Sequence, residues 1–312
     1  MKQGYSCAIA VLGSLNYDFV VRGPRLPVRG ETVMGDRFNM QCGGKGANQA
    51  CQAVLLGARV TMIGCVGRDF MGDEQLKSLG GAGAELAHIY RHPNLPTGAC
   101  AIHVDSRGDN TIMVAAGANN AVTPAMVEAA REEIESADVF VTQLEIGEAA
   151  IIRGLQIASA AGRFVMLDPA PMRPIPETVW GMIDLVKPNE TEAAYYTGIA
   201  REGRSLTEWA AQMAAKLRAM GPRHAVITLG REGAWYDGPD GAFLVPGFAV
   251  DAVDTTGSGD SFSGALAVAI AEGMPMRDAI LFANAAGAVT ATRDGAQTSM
   301  RGREHVEALL HR

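Results

Sequence analysis

The sequence predicts an α/β fold with three layers, α-β-α, around a mostly parallel central sheet, and a small antiparallel β appendage. Two observations carry this. Short apolar runs bounded by Gly, Pro, Asp or Asn alternate with helical stretches along most of the chain. That is how strands read when each crosses to the next through a helix. Tyr17–Met40 and Thr97–Val114 break the rhythm, carrying strand-like pieces with no helix between them.

The expected strands of the main sheet are Cys7–Gly13, Val60–Val66, Val139–Thr142, Phe164–Leu167, Asp184–Val186 and Ala225–Leu229. The expected helices are Lys45–Leu56, Pro124–Ser136, Glu148–Ala161, Leu206–Met220 and one through Ser261–Ala271. In the second irregular stretch, Cys100–Val104 and Thr111–Val114 read as strands joined by a turn over Asp105–Asp109. No repeat, low-complexity linker or long charge run divides the chain. One domain over residues 1–312, with an appendage, is the expectation.

Charged residues make up 20% of the chain and the hydrophobic set 48%, an ordinary globular balance. The formal net charge of −7 gives no general attraction to nucleic acid or anionic lipid. Neither partner is expected. Five cysteines without a C-x-x-C pair read as reduced thiols. Met1–Ala10 lacks a signal-peptide layout. No apolar run approaches the ~20 residues of a membrane helix. A cytoplasmic location is expected.

Three segments carry chemistry. Gly257-Ser258-Gly259-Asp260 precedes an apolar helix. Free N–H groups and the helix dipole make such a start an anion site, and glycines let a phosphate approach. An acid beside an anion is a poor phosphate ligand but a sensible base for an attacking hydroxyl. The plainer reading is a helix start with Asp260 as a first-turn acid. Asn16 and Asp18 alternate, so an extended segment aims both at one face, where they could grip sugar hydroxyls. An Asx turn would use the same residues. Gly43-Gly44-Lys45-Gly46 opens a helix on which Lys45 and Asn48 share a face. A helix cap with a solvated Lys45 is the alternative. The chain has no G-x-x-x-x-G-K-[ST] loop and no G-x-G-x-x-G after its first strand. His88 and His92 have the spacing of metal ligands on a helix, but Ile89, Tyr90 and Pro93 favour a strand or loop.

In this order these pieces resemble the ribokinase family of carbohydrate kinases, the phosphofructokinase-B type. The match runs from Gly13–Asp18 through Gly43–Gln49, Gly117–Asn119, Gln143–Glu145, Asp168–Pro171, Pro188–Glu192 and Thr228–Gly233 to Asp254–Asp260 and Gly295–Gln297. The resemblance implies ATP-dependent phosphorylation of a sugar, D-ribose to D-ribose 5-phosphate first. Deoxyribose, fructose or a nucleoside are alternative substrates, and a non-catalytic sugar-binding regulator is a further alternative. It implies a ribokinase-like fold whose β lid spans approximately residues 15–42 and 97–116 and builds a homodimer. Asp260 is implied as general base, with Gly257, Ser258 and Gly259 as the anion hole. Asn16, Asp18, Gly43, Gly44, Lys45, Asn48 and Glu145 match sugar-holding positions. Asn189, Thr228, Leu229, Gly230, Arg231, Glu232, Gly233, Gly259 and Asn284 match the nucleotide site. Glu192 would organise Mg2+ through water. A K+ site would draw on Asp254, Thr256, Thr290, Arg293, Gly295 and Ser299, mostly through backbone oxygens. Ser258 is often Ala in the family, and Tyr17 replaces a common Ala. Cys100, Ile112 and Val114 fall at lid positions expected to line the sugar's apolar side.

Overall fold

The computed structural model describes residues 7–107 and 110–311. The chain opens with β1 (Ala8–Leu12), β2 (Asn16–Arg22), β3 (Arg37–Gly43), α1 (Lys45–Leu55), β4 (Arg59–Gly67), α2 (Phe70–Ala82) and β5 (Glu85–His92). Then come β6 (Gly98–Val104), β7 (Asn110–Ala115), α3 (Pro124–Glu128), α4 (Arg131–Ser136), β8 (Val139–Thr142), α5 (Glu148–Ala160), β9 (Phe164–Leu167), α6 (Glu177–Trp180) and β10 (Leu185–Val186). It closes with α7 (Glu190–Thr197), α8 (Leu206–Ala219), β11 (His224–Thr228), β12 (Ala234–Gly238), β13 (Gly241–Val245), α9 (Ser258–Ala271), α10 (Met276–Ala291) and α11 (Arg303–Leu310).

Among the described residues nine strands form one sheet in the order β13-β12-β11-β10-β9-β8-β1-β4-β5. From β11 to β5 every pair is parallel. Both faces of the sheet are covered. Ile9 and Val11 enter one apolar core with α1, α9 and α10, while Ala10 and Leu12 enter the other with α5 and α8. That is why the parallel strands read as continuous apolar runs. The order reverses at β1, which pairs with β4 on one side and β8 on the other. Ligands of open α/β sheets bind past the carboxyl ends of the strands at such a reversal.

The second sheet, β3-β2-β6-β7, stands apart from the first. Its outer pairs are antiparallel, and β2 and β6 run parallel between them. Tyr17 points away from Asn16 and Asp18, with its ring against Phe19 and Phe70. Phe38, Met40, Ile112, Met113 and Val114 leave this sheet more than two-fifths exposed.

The expected strands and helices appear within three residues, with two differences. The helix expected over Pro124–Ser136 is broken at Ala130, where a buried residue with φ −103° and ψ 18° separates α3 from α4. The antiparallel hairpin β12–β13 extends the sheet where no strand was expected. Of the turn expected over 105–109, residues 108 and 109 lie outside the described residues. His88 and His92 fall on strand β5, and His88 meets Glu133 at 3.0 Å. No cluster of three or more His, Cys, Asp or Glu suited to a metal occurs among the described residues. No described helix is long and apolar enough to cross a membrane.

Helix α9 is buried at every position from Asp260 to Ala269, because it is packed between α1 and α10. Glycine permits this closeness. A Cβ at Gly264 would stand 2.6 Å from the Gln49 carbonyl oxygen of α1. We expect Gly264→Ala to lower the unfolding free energy by about 1–3 kcal/mol, the usual cost of overpacking. Equilibrium urea unfolding measures this, and an unchanged midpoint would show that the two helices separate freely.

Candidate active site

The candidate residues lie where strands of the main sheet end. Ser14 and Asn16 follow β1, Glu145 follows β8, Asp168 follows β9, Lys187 and Asn189 follow β10, and Gly230 follows β11. Two glycine-led helices, α1 and α9, complete the site. The caps Gly44 (φ 91°) and Gly257 (φ 74°) have positive φ, which residues with a side chain adopt only with strain.

The first pocket brings together Asn16, Asp18, Gly43, Gly44, Lys45, Asn48, Glu145 and Asp260. Glu145 accepts from the Ser14 hydroxyl, from Asn16 Nδ2 at 3.3 Å and from the Lys45 backbone N–H at 3.3 Å. Asn48 Nδ2 donates to Asp260 Oδ2 at 2.8 Å, and Gln49 Nε2 reaches Asp260 Oδ1 at 3.3 Å. Gly43 must be glycine for Asp18 to lie where it does, because a Cβ there would fall on the Asp18 carboxylate.

This pocket has more acceptors than donors. Asp18 Oδ1 and Asn48 Oδ1 are buried and meet no hydrogen-bond donor among the described residues. Burial pushes the Asp18 carboxyl up to about 6; the Cys100 thiol that hydrogen-bonds it pulls the other way, and Glu145 and Asp260 add to the rise. Burial works against the Lys45 ammonium, but Asp260, Asp168, Glu145 and Glu192 outweigh it and hold the charge on. A ligand that satisfies such a place brings hydroxyl donors.

The second pocket is a cleft of about 820 Å³ lined by Asn189, Thr228, Gly230, Arg231, Glu232, Gly233, Ser258, Gly259 and Asn284, with Phe262, Ala288 and Ala291 as its apolar part. A Cβ on Gly259 would meet nothing within 4 Å, so its missing side chain leaves room at the helix start. Ser258 Oγ has no partner among the described residues. Asn284 Nδ2 holds the carbonyls of Val245 and Pro246. The Leu229 side chain is 3% exposed and packs in the core beside β11, apart from the side chains that line the cleft.

Glu192 is tied to Asn189, which lines the cleft. Burial, then the Asp168 carboxylate, raises its carboxyl, while Lys187, Asn189 and Lys45 act in the opposite sense. Its Oε2 accepts from the Asn189 backbone N–H, and Asn189 Oδ1 accepts from Glu192 N–H, closing a capping box on α7. Hard oxygen ligands with surplus negative charge suit a hydrated magnesium ion.

Several participants are invisible in local sequence. Lys187 Nζ meets Asp168 Oδ2 at 2.8 Å, both side chains being at most 5% exposed. Asp168 Oδ2 also accepts from Gln49 Nε2 and Ser263 Oγ, and Lys187 Nζ reaches the Gly259 carbonyl at 3.4 Å. Gln143 holds the Gln49 amide oxygen. Asn119 Nδ2 donates to Asn16 Oδ1 at 2.7 Å, and Gln75 Nε2 to the Asn16 and Gly43 carbonyls. Asn119 lay in a segment that the family resemblance marked, and Asp168 in another. Gln75 lies on α2, outside every segment that the sequence singled out.

The K+ set gathers around the loop before α9. Asp254 Oδ1 accepts from Thr256 N at 3.0 Å and Thr256 Oγ1 at 2.7 Å. Thr290 Oγ1 donates to Ser261 Oγ, and Ser299 Oγ to the Ala296 carbonyl. Of the expected apolar lining, Cys100 is buried and in register with Asp18. Ile112 and Val114 sit on the edge strand β7, whose described positions are all exposed.

With this geometry in place, comparison with known proteins is direct. Residues 8–302 match the family model "pfkB family carbohydrate kinase". The chain is 39% identical over 300 residues to a ribokinase of Schizosaccharomyces pombe, covering 94% of each chain. It is 32% identical to a deoxyribokinase of Salmonella typhimurium, covering 97% of this chain and 98% of the relative. Its fold superposes on Arabidopsis thaliana ribokinase complexed with ribose and ATP with a TM-score of 0.89 at 33% identity, covering 97% and 98%. The chain belongs to the pfkB family of carbohydrate kinases.

Folded, Asp18 holds its proton more tightly than its ordinary value of 3.8 allows. Its contribution to stability is full below the unfolded value and is lost as pH rises through about 6. Asp18→Asn should therefore gain on the wild type by about 3 kcal/mol or less between pH 4 and pH 7. Denaturant unfolding across that range measures it; parallel pH curves for the two proteins would refute the assignment.

Proposed function

We propose that the chain transfers the γ-phosphoryl group of ATP to the 5-hydroxyl of D-ribose, giving D-ribose 5-phosphate and ADP. The carrying observation is the hydrogen-bonded contact of Asn48 with Asp260, which joins the acceptor-rich pocket to the cleft at the start of α9. A sugar held by Asn16, Asp18, Gly43, Gly44, Lys45, Asn48 and Glu145 satisfies the orphan acceptors. Asp260 takes the proton of the attacking hydroxyl, and its amide partners Asn48 and Gln49 keep both carboxylate oxygens aimed. The turn Gly257–Gly259 meets the developing charge with its backbone N–H groups, that of Ser258 being shared with the Thr255 carbonyl. ATP lies in the cleft along Asn189, Thr228, Gly230, Arg231, Glu232, Gly233 and Asn284.

Magnesium, when bound, neutralises phosphate charge. Glu192 and Asn189 would hold it through water. The small sheet, residues 16–43 and 98–115, acts as a lid on one kinase domain, excluding water that would compete for the phosphoryl group. Its exposed apolar side chains suit a second copy of the chain. The reading places the enzyme in the cytoplasm, with ATP and a free sugar as its partners.

Asp260→Asn should lose about 10²–10⁴-fold in kcat while calorimetry still detects ribose binding. Near wild-type turnover in that variant would remove Asp260 from the base role. The deoxyribokinase relative favours a second reading, 2-deoxyribose as substrate. If Asp18 bonds the 2-hydroxyl, the deoxy sugar leaves that carboxylate unmet, and kcat/KM for ribose should exceed that for deoxyribose by about tenfold or more. A panel of both sugars, fructose and a nucleoside in a coupled ADP assay decides the ranking. Preference for deoxyribose would transfer the assignment to the second reading.

A further inference from the structure

The loop leading into α9 is held by a cation that the protein itself carries. Arg22, the last residue of β2, places Nη2 2.9 Å from Asp254 Oδ2 and 3.5 Å from Asp294 Oδ1. Arg37 of β3 lies directly opposite Arg22 and reaches Asp294 at 3.6 Å. Like charges placed opposite one another destabilise a sheet unless acids face them. Here Asp254 and Asp294 do so. The Arg22 and Asp254 side chains are 24% and 14% exposed, so water screens this contact less than it does the outer pairs.

Asp254 is therefore fully engaged. Its Oδ1 accepts two donors from Thr256, and its Oδ2 accepts from Arg22 and, at 3.4 Å, from the Gly295 backbone N–H. An alkali ion bound by this carboxylate would have to displace a guanidinium or sit beside it against its charge. The rest of the expected set supplies no replacement charge: its backbone oxygens and the Thr290 and Ser299 hydroxyls are neutral, the hydroxyls already donate to protein oxygens, and the Arg293 side chain is itself a cation. The residues present do not fit a potassium ion held through Asp254.

We propose that the Arg22 guanidinium takes the place of the monovalent cation, so that turnover does not depend on potassium. Arg22 is a positioning residue. It lies outside the residues assigned to the sugar and the nucleotide but fixes Asp254, and through it Thr256 in the loop that leads into the anion-binding start of α9. The charge arrives on the same strand as Asn16 and Asp18, and residues 16, 18 and 22 share one face of β2. Ordering of the phosphate side is thereby joined to the small sheet and not to the ionic composition of the solvent.

The inference rests on the kinase reading, and its test includes measurements that do not need the sugar to be right. Wild-type enzyme is compared in potassium and in tetramethylammonium chloride at equal ionic strength by ADP calorimetry, by thermal unfolding and by ribose-dependent ADP release. All three should agree between the salts, with kcat and the ADP affinity within about twofold. Arg22→Gln should lose about tenfold in kcat in tetramethylammonium with little change in ribose KM, and potassium or added guanidinium should restore it. Arg22→Lys should keep most of the activity without potassium. A wild type whose kcat rises tenfold with potassium, or whose unfolding midpoint and ADP affinity rise specifically with it, would overturn the proposal. So would an Arg22→Gln protein with wild-type kcat in tetramethylammonium. Absence of ribose turnover would count against the kinase reading alone, since ADP binding and unfolding would still report on the cation.

Discussion

The close approach of α1 to α9 is the constraint on which the rest of the site depends. Gly264 allows it, and the amides of Asn48 and Gln49 cross the gap to both oxygens of Asp260. A carboxylate at the start of a helix would otherwise turn toward its own N–H groups or toward solvent. Held from α1, it projects between the two pockets. The sugar side and the phosphate side thus meet at a side chain gripped from two helices.

That grip is backed by a buried ion pair. Lys187 and Asp168 end neighbouring strands of the parallel sheet, and Gln49, Ser263 and the Gly259 carbonyl are tied to them. Such a pair is weak evidence for stability, because desolvation offsets much of its attraction. Its value here is geometric. It links α1, β9, β10 and the first turn of α9 into one polar network, so the anion-binding turn and the base share a single frame.

Much of this was legible in the chain. Parallel strands buried on both faces read as apolar runs, and glycine-led helix starts show in the sequence because their backbone geometry is local. Asn16, Asp18, Lys45 and Asn48 could be placed on faces by periodicity alone, and the family resemblance joined them to Asp260. Contacts set by tertiary packing were not legible. Asn119 supports Asn16 from about a hundred residues away, and Gln75 reaches two backbone carbonyls from α2. Nothing in the spacing of Arg22 announces that it meets Asp254 across 232 positions. Nor does a motif position say which way a side chain faces, as the buried Leu229 shows.

Phosphorus and carbon NMR of the product formed from labelled ribose and ATP test the central claim most directly, because they report the bond made. The account predicts one phosphate monoester on carbon 5, formed in step with ADP. Phosphate on another carbon, or release of inorganic phosphate with unchanged sugar, would contradict it.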